Sequence, residues 1–202
     1  MWSVLDVEVI RSPQAASVAL DPVRSRLLAE LHEPASAAAL AARLSIPRQK
    51  INYHLRALET HDLVKPASEK KWGGLTERLL VATASSYVIS PDAMGPAASD
   101  PARTPDRLSA GYLIALAARA VHEVGELVRR AAASGKRLAT LSLDSEIRFR
   151  SAAERARFSS ELTAAIAQLA AKYHDEHAPG GRSHRLVVAV HPLPHPKKES
   201  LK

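Results

Sequence analysis

The stretch from residue 44 to residue 64 carries two sets of side chains that suit different purposes. Its apolar residues recur with the spacing of one helix face, and they are Leu44, Ile51, Leu55 and Leu58. The opposite face carries side chains that can donate hydrogen bonds, namely Arg48, Gln49, Asn52, Tyr53 and Arg56. The segment therefore predicts an amphipathic helix whose polar face is free to contact another molecule.

The polar residue types on this face suit the edges of DNA bases. Arginine can bridge the two acceptors that guanine presents in the major groove, and glutamine or asparagine can pair bidentately with adenine. We therefore predict that Arg48, Gln49, Asn52 and Tyr53 read bases. The alternative is an ordinary solvent-facing helix, since single polar residues are usually surface residues.

Basic residues on and after this segment suit the DNA backbone. Phosphate contacts add affinity and orientation but carry no sequence information. The predicted phosphate contacts are Lys50, Arg56, Lys70, Lys71 and Arg78.

Helix-start and helix-end residues define two further helices before the polar one. Asp21 and Pro22 begin the first, and Pro34 follows its end. Ser36 begins the second, and residues 45–47 separate it from the polar helix. We expect the three helices to share one core, formed by Leu27, Leu31, Leu40, Leu44, Ile51, Leu55 and Leu58.

Strand-like alternation flanks these helices. Residues 6–10 predict a short strand, and residues 63–90 predict two strands joined by a glycine turn. Helix, turn and helix followed by a β-hairpin is the order of a winged helix-turn-helix, a fold that places one helix in the major groove. The predicted class is α+β, with this domain in residues 1–92.

The same residues resemble the ArsR-type winged-helix regulators, in particular an actinobacteria-like branch with an extra C-terminal α/β segment. The resemblance covers residues 19–92 and rests on Asp21-Pro22-x-Arg24 at the start of the first helix and on Tyr53-His54-Leu55 with Leu58 in the polar helix, before Leu63-Val64. It implies a transcriptional repressor that works as a homodimer.

Two departures from the family pattern matter. The family usually has alanine and glycine before Leu63, where this chain has His61 and Asp62. Aspartate tolerates the left-handed backbone, so we still expect the helix to end there. The cysteine pair with which founding members sense metals is missing, because the chain has no cysteine.

The second half predicts a helix-strand-helix-strand segment. Residues 93–107 form a proline-rich linker, and residues 108–193 hold a helix at 108–134, a strand at 137–150, a helix at 151–177 and a strand at 184–192. Ser151 and Glu154 predict a capping box for the second helix. Residues 194–202 predict a disordered tail.

The helix at 108–134 carries an apolar seam that suits a copy of itself. The family pairs such a helix across a dimer, and a dimer would read two half-sites about 34 Å apart in a palindromic operator. The predicted dimerisation residues are Leu113, Ala117, Val121, Val124 and Val128.

The composition of the chain excludes several kinds of site and favours one kind of partner. The absence of cysteine excludes disulfides, thiolate metal sites and cysteine nucleophiles. A net charge of +7 favours a polyanionic partner, here double-stranded DNA. No apolar run suits a membrane span, so the expected location is the cytoplasm. No catalytic motif and no cofactor is predicted.

Three alternatives remain open at the level of sequence. A non-specific architectural protein would bind DNA by its backbone alone. A metal sensor could use His174 with His177, or His122 with Glu126, although neither pair has a complete ligand spacing. A small-molecule effector could bind residues 108–193, with Arg119, Arg148 or Arg150 anchoring an acidic group.

Overall fold

The computed structural model describes the backbone of residues 4–72 and 75–194, and the side chains of these ranges except residues 70–72 and 75–76. Its internal contacts divide the chain into two compact units, Met1–Leu138 and Ala139–Lys202. The division falls after the predicted linker at 93–107, so the helix that follows that linker belongs to the first unit.

The first unit combines helices with two small sheets. Its helices are α1 (Pro13–Ala19), α2 (Pro22–Glu30), α3 (Ala37–Leu44), α4 (Arg48–Thr60) and α5 (Ala110–Ala133). Its strands are β1 (Leu5–Ile10), β2 (Ala35–Ser36), β3 (Val64–Trp72), β4 (Leu75–Ala82) and β5 (Ala84–Ile89). Short 3-10 helices at Pro91–Ala97 and Pro101–Arg103 occupy the predicted linker. The α+β class is confirmed.

Polar side chains begin the helices where the sequence predicts them. Asp21 accepts hydrogen bonds from the backbone N–H groups of Val23 and Arg24, both at 3.0 Å. Ser36 accepts one from the N–H of Ala39 at 3.2 Å. These contacts satisfy N–H groups that a helix leaves unpaired at its start. Helix α1, capped by Ser12 in the same way, was not predicted from the sequence.

Left-handed residues end the two central helices. Ser45 closes α3 with φ of 54°, and Asp62 follows α4 with φ of 55°. The N–H of Leu63 then donates to the carbonyl oxygen of Leu58 at 2.9 Å. Asp62 thus takes the place that glycine holds in the family pattern, as predicted.

The predicted core is present. Leu27, Leu31, Leu40, Ile51 and Leu58 have no exposed surface. Leu55 is also buried, whereas Leu44 is half-buried at the edge of the cluster. Full burial of five such side chains holds α2, α3 and α4 in one arrangement, because each contributes about 1.5–3 kcal/mol.

The observed strand pairing differs from the predicted hairpin. Residues 75–90 were expected to form one strand of the hairpin, but the chain breaks at Thr83. Strand β4 lies between β2 and β3 in an antiparallel sheet, and β5 leaves it to pair in parallel with β1. The hydroxyl of Tyr87 stabilises this break. It donates to the carbonyl oxygen of Leu63 at 2.7 Å and accepts from the N–H of Thr83 at 3.1 Å.

Helix α5 buries three small residues and approaches β1 closely at one of them, Gly125. Its buried residues are Ala115, Ala118 and Gly125, and a Cβ atom added at Gly125 would lie 2.5 Å from a methyl carbon of Val9. Arg129 pairs with Glu8 at 3.2 Å beside this contact. The close approach therefore requires glycine at position 125.

The described residues of the second unit, 139–194, contain one helix, α6 (Ala152–Tyr173). Ser151 caps it by accepting from the N–H of Glu154 at 3.1 Å, and the Glu154 carboxylate accepts from the N–H of Arg150 at 2.6 Å. The predicted cap at Ser151 is confirmed, but the returning bond reaches Arg150 and not Ser151 itself.

The two strands predicted in this unit are not formed. Residues 136–149 and 181–194 run without helix, turn or bend, and within the described part of the chain they take part in no strand pairing. The alternation that predicts a strand is present, but no described strand pairs with either segment. The predicted tail at 195–202 lies outside the described residues. None of the helices described is long and apolar enough to cross a membrane.

Candidate nucleic-acid interface

Helix α4 has one packed face and one open face. Ile51, His54, Leu55 and Leu58 are buried against the core. The residues predicted to read bases are all exposed to solvent. Tyr53 exposes 65% of its surface. The exposed side chains of α4 are Arg48, Gln49, Lys50, Asn52, Tyr53, Arg56 and Thr60. Packing thus presents a polar face of the composition that base edges and phosphates require.

The first turn of α4 is open at its N-terminus. Pro47 occupies the capping position, and no described side chain caps the helix, in contrast to Ser12, Asp21 and Ser36 on the preceding helices. The first N–H groups of a helix carry partial positive charge and favour anions. This end of α4 can therefore accept a phosphate group.

His54 is buried directly beneath the polar face. Its imidazole nitrogens have no hydrogen-bond partner among the residues that the structure describes, and Nδ1 lies 3.9 Å from the carboxylate of Asp21. Burial lowers the pKa of His54, against the opposing attraction of Asp21. The Tyr53 ring contacts it edge-on at 5.3 Å. The prediction that His54 packs under the helix agrees with this position.

The Arg78 side chain forms an ion pair within the protein. Its guanidinium donates two hydrogen bonds to the two carboxylate oxygens of Glu59, one of them at 3.0 Å. This bidentate pair raises the pKa of Arg78 and joins strand β4 to the end of α4. Its charge is partly neutralised, which weakens the prediction that Arg78 contacts phosphate.

Lys70 and Lys71 lie on β3, in the hairpin that follows α4. Their backbone pairs with Glu77 and Thr76 on β4. Their side chains lie outside the described residues, so their predicted phosphate contacts stay predictions.

Comparison with known proteins agrees with this geometry. A family described as a helix-turn-helix domain matches residues 19–67. Residues 19–67 are a helix-turn-helix domain. The match spans α2, α3, α4 and the first residues of β3, and therefore includes the whole polar face of α4.

A solved structure also resembles part of the chain. It is the crystal structure of a transcriptional regulator HlyU from Vibrio vulnificus CMCP6, which is 20% identical and has a TM-score of 0.29. The similarity covers 34% of this chain and 68% of that one. No curated protein matches the sequence.

The predicted seam of α5 is placed on its less packed side. Ala117 and Val124 are exposed, and Leu113, Val121 and Val128 are half-buried. The residues that pack on β1 were not singled out by sequence, because alanine and glycine carry little apolar signal. Their spacing at positions 115, 118 and 125 is the only indication that the sequence offered.

The histidines considered for metal binding contact other carboxylates in the structure. His122 pairs with Asp92 rather than Glu126. His174 lies 3.6 Å from Glu176. Among the described residues, no three histidines or carboxylates come together as metal ligands.

Proposed function

We propose that the chain is a sequence-specific DNA-binding transcriptional regulator whose helix α4 lies in the major groove. The observation that carries the proposal is the exposed polar face of α4, held on a fully buried leucine and isoleucine core. A helix-turn-helix places such a helix with its N-terminal residues at the bases.

Arg48, Gln49, Asn52 and Tyr53 read the bases in this proposal. All are exposed and lie within the first two turns of α4. Each well-formed bidentate contact discriminates against the wrong base by about 1–3 kcal/mol. Tyr53 differs from the others, because its ring offers apolar contact to a thymine methyl group.

Lys50, Arg56, Lys70 and Lys71 bind phosphates. Lys50 and Arg56 are exposed on α4, and the two remaining lysines belong to the hairpin that flanks the groove in a winged helix. Arg78 has a different proposed role. Its bond to Glu59 fixes the hairpin against α4, so it positions the phosphate contacts instead of making one.

The regulator acts as a homodimer on a palindromic operator. The exposed seam of α5 supports this, since Val124 exposes 44% of its surface in the single chain and Ala117 is also exposed. Two copies joined there would present two α4 helices to half-sites about one helical turn apart. The resemblance to ArsR-type regulators favours repression as the outcome.

Selection of genomic fragments on the purified protein tests this function. The best fragment and its scrambled version are then titrated at two salt concentrations. A palindromic fragment preferred by about a thousandfold is expected. Equal affinities that fall together with salt would overturn the proposal in favour of architectural binding to the backbone.

A second candidate function is control by a small anionic effector. A cavity of about 520 Å³ lies between the 3-10 helices and α5. Its lining includes Arg119 together with two ion pairs, Arg103 with Asp100 and His122 with Asp92, so Arg119 is the cation that could meet an acidic group. The buried Nε atom of Arg119 has no hydrogen-bond partner among the described residues. Thermal stabilisation by small carboxylates, lost in Arg119→Gln, would support this role.

A further inference from the structure

Arg24 lies on the packed side of α2, where a charged side chain is unusual. It precedes Leu27 by three positions and therefore shares its helix face, and Leu27 has no exposed surface. Arg24 itself is half-buried, and its Nε atom is buried without a hydrogen-bond partner among the described residues. Arginine is almost never buried unless its charge is paired. The position of Arg24 therefore suits an anion.

The other half-buried arginines of the first unit show what Arg24 lacks. Within the described residues these are Arg119 and Arg129. The Nε atom of Arg129 lies 3.2 Å from the carboxylate of Glu8, and Arg119 lines the cavity beside α5. Arg24 forms no ion pair with a described residue, so its guanidinium is available to a binding partner.

Asp21 is the acidic residue nearest to Arg24 along the chain, and it serves as the cap of α2. Its Oδ1 atom accepts from the backbone N–H groups of Val23 and Arg24, both at 3.0 Å. The bond from the Arg24 backbone lowers the pKa of the Asp21 carboxyl most, and the Arg24 charge lowers it further. The hydrogen bond that joins the two residues thus comes from the backbone of Arg24 and not from its guanidinium.

A second group without a hydrogen-bond partner lies beside Arg24. The His54 side chain exposes 7% of its surface, and neither ring nitrogen has a partner among the described residues. Burial lowers the pKa of His54 most, Asp21 opposes this effect, and the charges of Arg24 and Lys50 lower it further. Because both charges act on one imidazole, Arg24 of α2 and Lys50 of α4 converge on the same part of the molecule.

These two cations lie near the beginning of the polar face of α4. Lys50 is exposed, and no described side chain caps the first turn of the helix. Two cations and an uncapped helix N-terminus attract an anion, and the single carboxylate of Asp21 offsets only part of their charge. The fork of an arginine matches the oxygens of a phosphate group. A helix in the major groove brings the phosphates of the DNA backbone to its own flank.

We propose that Arg24 is a phosphate-binding residue of the DNA interface. Its guanidinium donates to a phosphate of the DNA backbone beside Lys50 and thereby ties α2 to the strand that flanks the groove. This inference rests on the proposed DNA-binding function and adds to it a contact from outside α4. The contact contributes affinity and orientation, and it carries no sequence information.

Arg24→Met tests this contact in the full-length protein, because methionine keeps an unbranched apolar stem but cannot bind phosphate. Binding to the selected genomic fragment and to its scrambled version should weaken alike, by about five- to tenfold at about 0.1 M salt, and the salt slope should fall by about one unit. Arg26→Met is the matched control. Arg26 is exposed and lies two positions further along α2, on the opposite side of the helix, so its removal should leave the slope unchanged.

Three further measurements separate phosphate binding from packing. The melting temperature of Arg24→Met should equal or exceed that of the parent protein, because an unpaired, half-buried charge is removed. The pKa of His54, measured by NMR without DNA, should rise in Arg24→Met and stay the same in Arg26→Met, because a nearby positive charge lowers it. Arg24→Lys keeps a charge without the fork, so it should retain the salt slope while losing part of the affinity.

The contrary outcomes are distinct from one another. If the parent protein binds DNA and Arg24→Met has an unchanged salt slope, the contact is wrong and the proposed function stands. A lower melting temperature with an unchanged slope would overturn the contact and assign Arg24 to packing alone. An unchanged pKa of His54 in Arg24→Met would overturn the placement of Arg24 beside α4. A parent protein that binds no DNA would overturn the proposed function and this contact with it.

Discussion

Helices α4 and α6 are both amphipathic in sequence, yet they differ in how much of their apolar side is covered. Helix α4 buries Ile51, His54, Leu55 and Leu58 within 13 residues. Helix α6 buries no residue in 22. The first helix is completed by α2 and α3 of its own chain, so its polar face is free to act. The apolar side of the second is only partly covered by the described residues of its own unit.

The largest difference between the two helices should appear on truncating their leucines. Leu58→Ala in α4 should destabilise the protein by about 2–5 kcal/mol, because it opens a cavity in a filled core. Urea unfolding followed by circular dichroism measures this. Leu20→Ala, at a position with 68% exposure in the same unit, is the control and should change stability by less than about 0.5 kcal/mol.

Leu169→Ala in α6 sharpens the comparison. Leu169 exposes 55% of its surface, so this substitution should destabilise the protein much less than Leu58→Ala does. A loss of stability as large as that of Leu58→Ala in urea unfolding would mean that another surface covers Leu169.

Substitutions on the open face of α4 should affect DNA binding and leave stability unchanged. Arg48→Ala should reduce the preference for the operator by about 1–3 kcal/mol, since a bidentate base contact is lost. Lys50→Ala should weaken all DNA sequences alike and lower the salt slope by about one unit. Fluorescence anisotropy titrations at several salt concentrations compare the two. Identical behaviour of both variants would contradict the assigned roles.

The packing of α5 on β1 can be tested by a substitution with a smaller expected effect on stability. Gly125→Ala should destabilise the first unit by about 1–3 kcal/mol, because the new methyl group meets Val9. Gly111→Ala is the matched control. The added Cβ atom there lies 3.7 Å from the Ser109 hydroxyl oxygen, so alanine should stabilise the helix by up to about 1 kcal/mol. Thermal melts of both variants decide whether α5 and β1 approach as described.

The sequence predicted local features more completely than their partners. The cap at Asp21, the break at residues 45–47 and the left-handed Asp62 all depend on chemistry within a few residues, and all were predicted. The path of β5 was not, because it depends on β1, about 80 positions away, and on the Tyr87 hydroxyl. The strands at 137–150 and 184–192 show the same limit. Alternation predicts a strand, but only a neighbouring backbone makes it one.

The site was predictable to a similar degree. The exposed side of α4 follows from helical spacing, so Arg48, Gln49 and Asn52 could be placed before the fold was known. The bond between Arg78 and Glu59 could not, since these residues are 19 positions apart and meet only when β4 packs beside α4. Charge alone made Arg78 a candidate for phosphate, and tertiary structure gave its guanidinium another partner.

The smallest expected effect is a pH dependence of stability caused by His54, which lies where the packed and open faces of α4 meet. Its pKa in the folded protein is lowered from the ordinary value of 6.5, chiefly by burial. The unfolded chain therefore binds the proton more readily than the folded one. Stability should be constant above about pH 6.5 and should fall as the pH drops below that value toward the lowered pKa. Asp21, whose pKa is also lowered, below 3.8, stays ionised in this window and adds no slope.

Melting temperatures measured between pH 7.5 and pH 5 test this assignment. His54→Phe keeps a flat ring beside Tyr53 but cannot take up a proton, so its melting temperature should vary less over this range. His32→Gln is the control, because His32 is exposed and the variant should keep the slope of the parent protein. If His54→Phe and the parent protein have the same slope, another group is responsible.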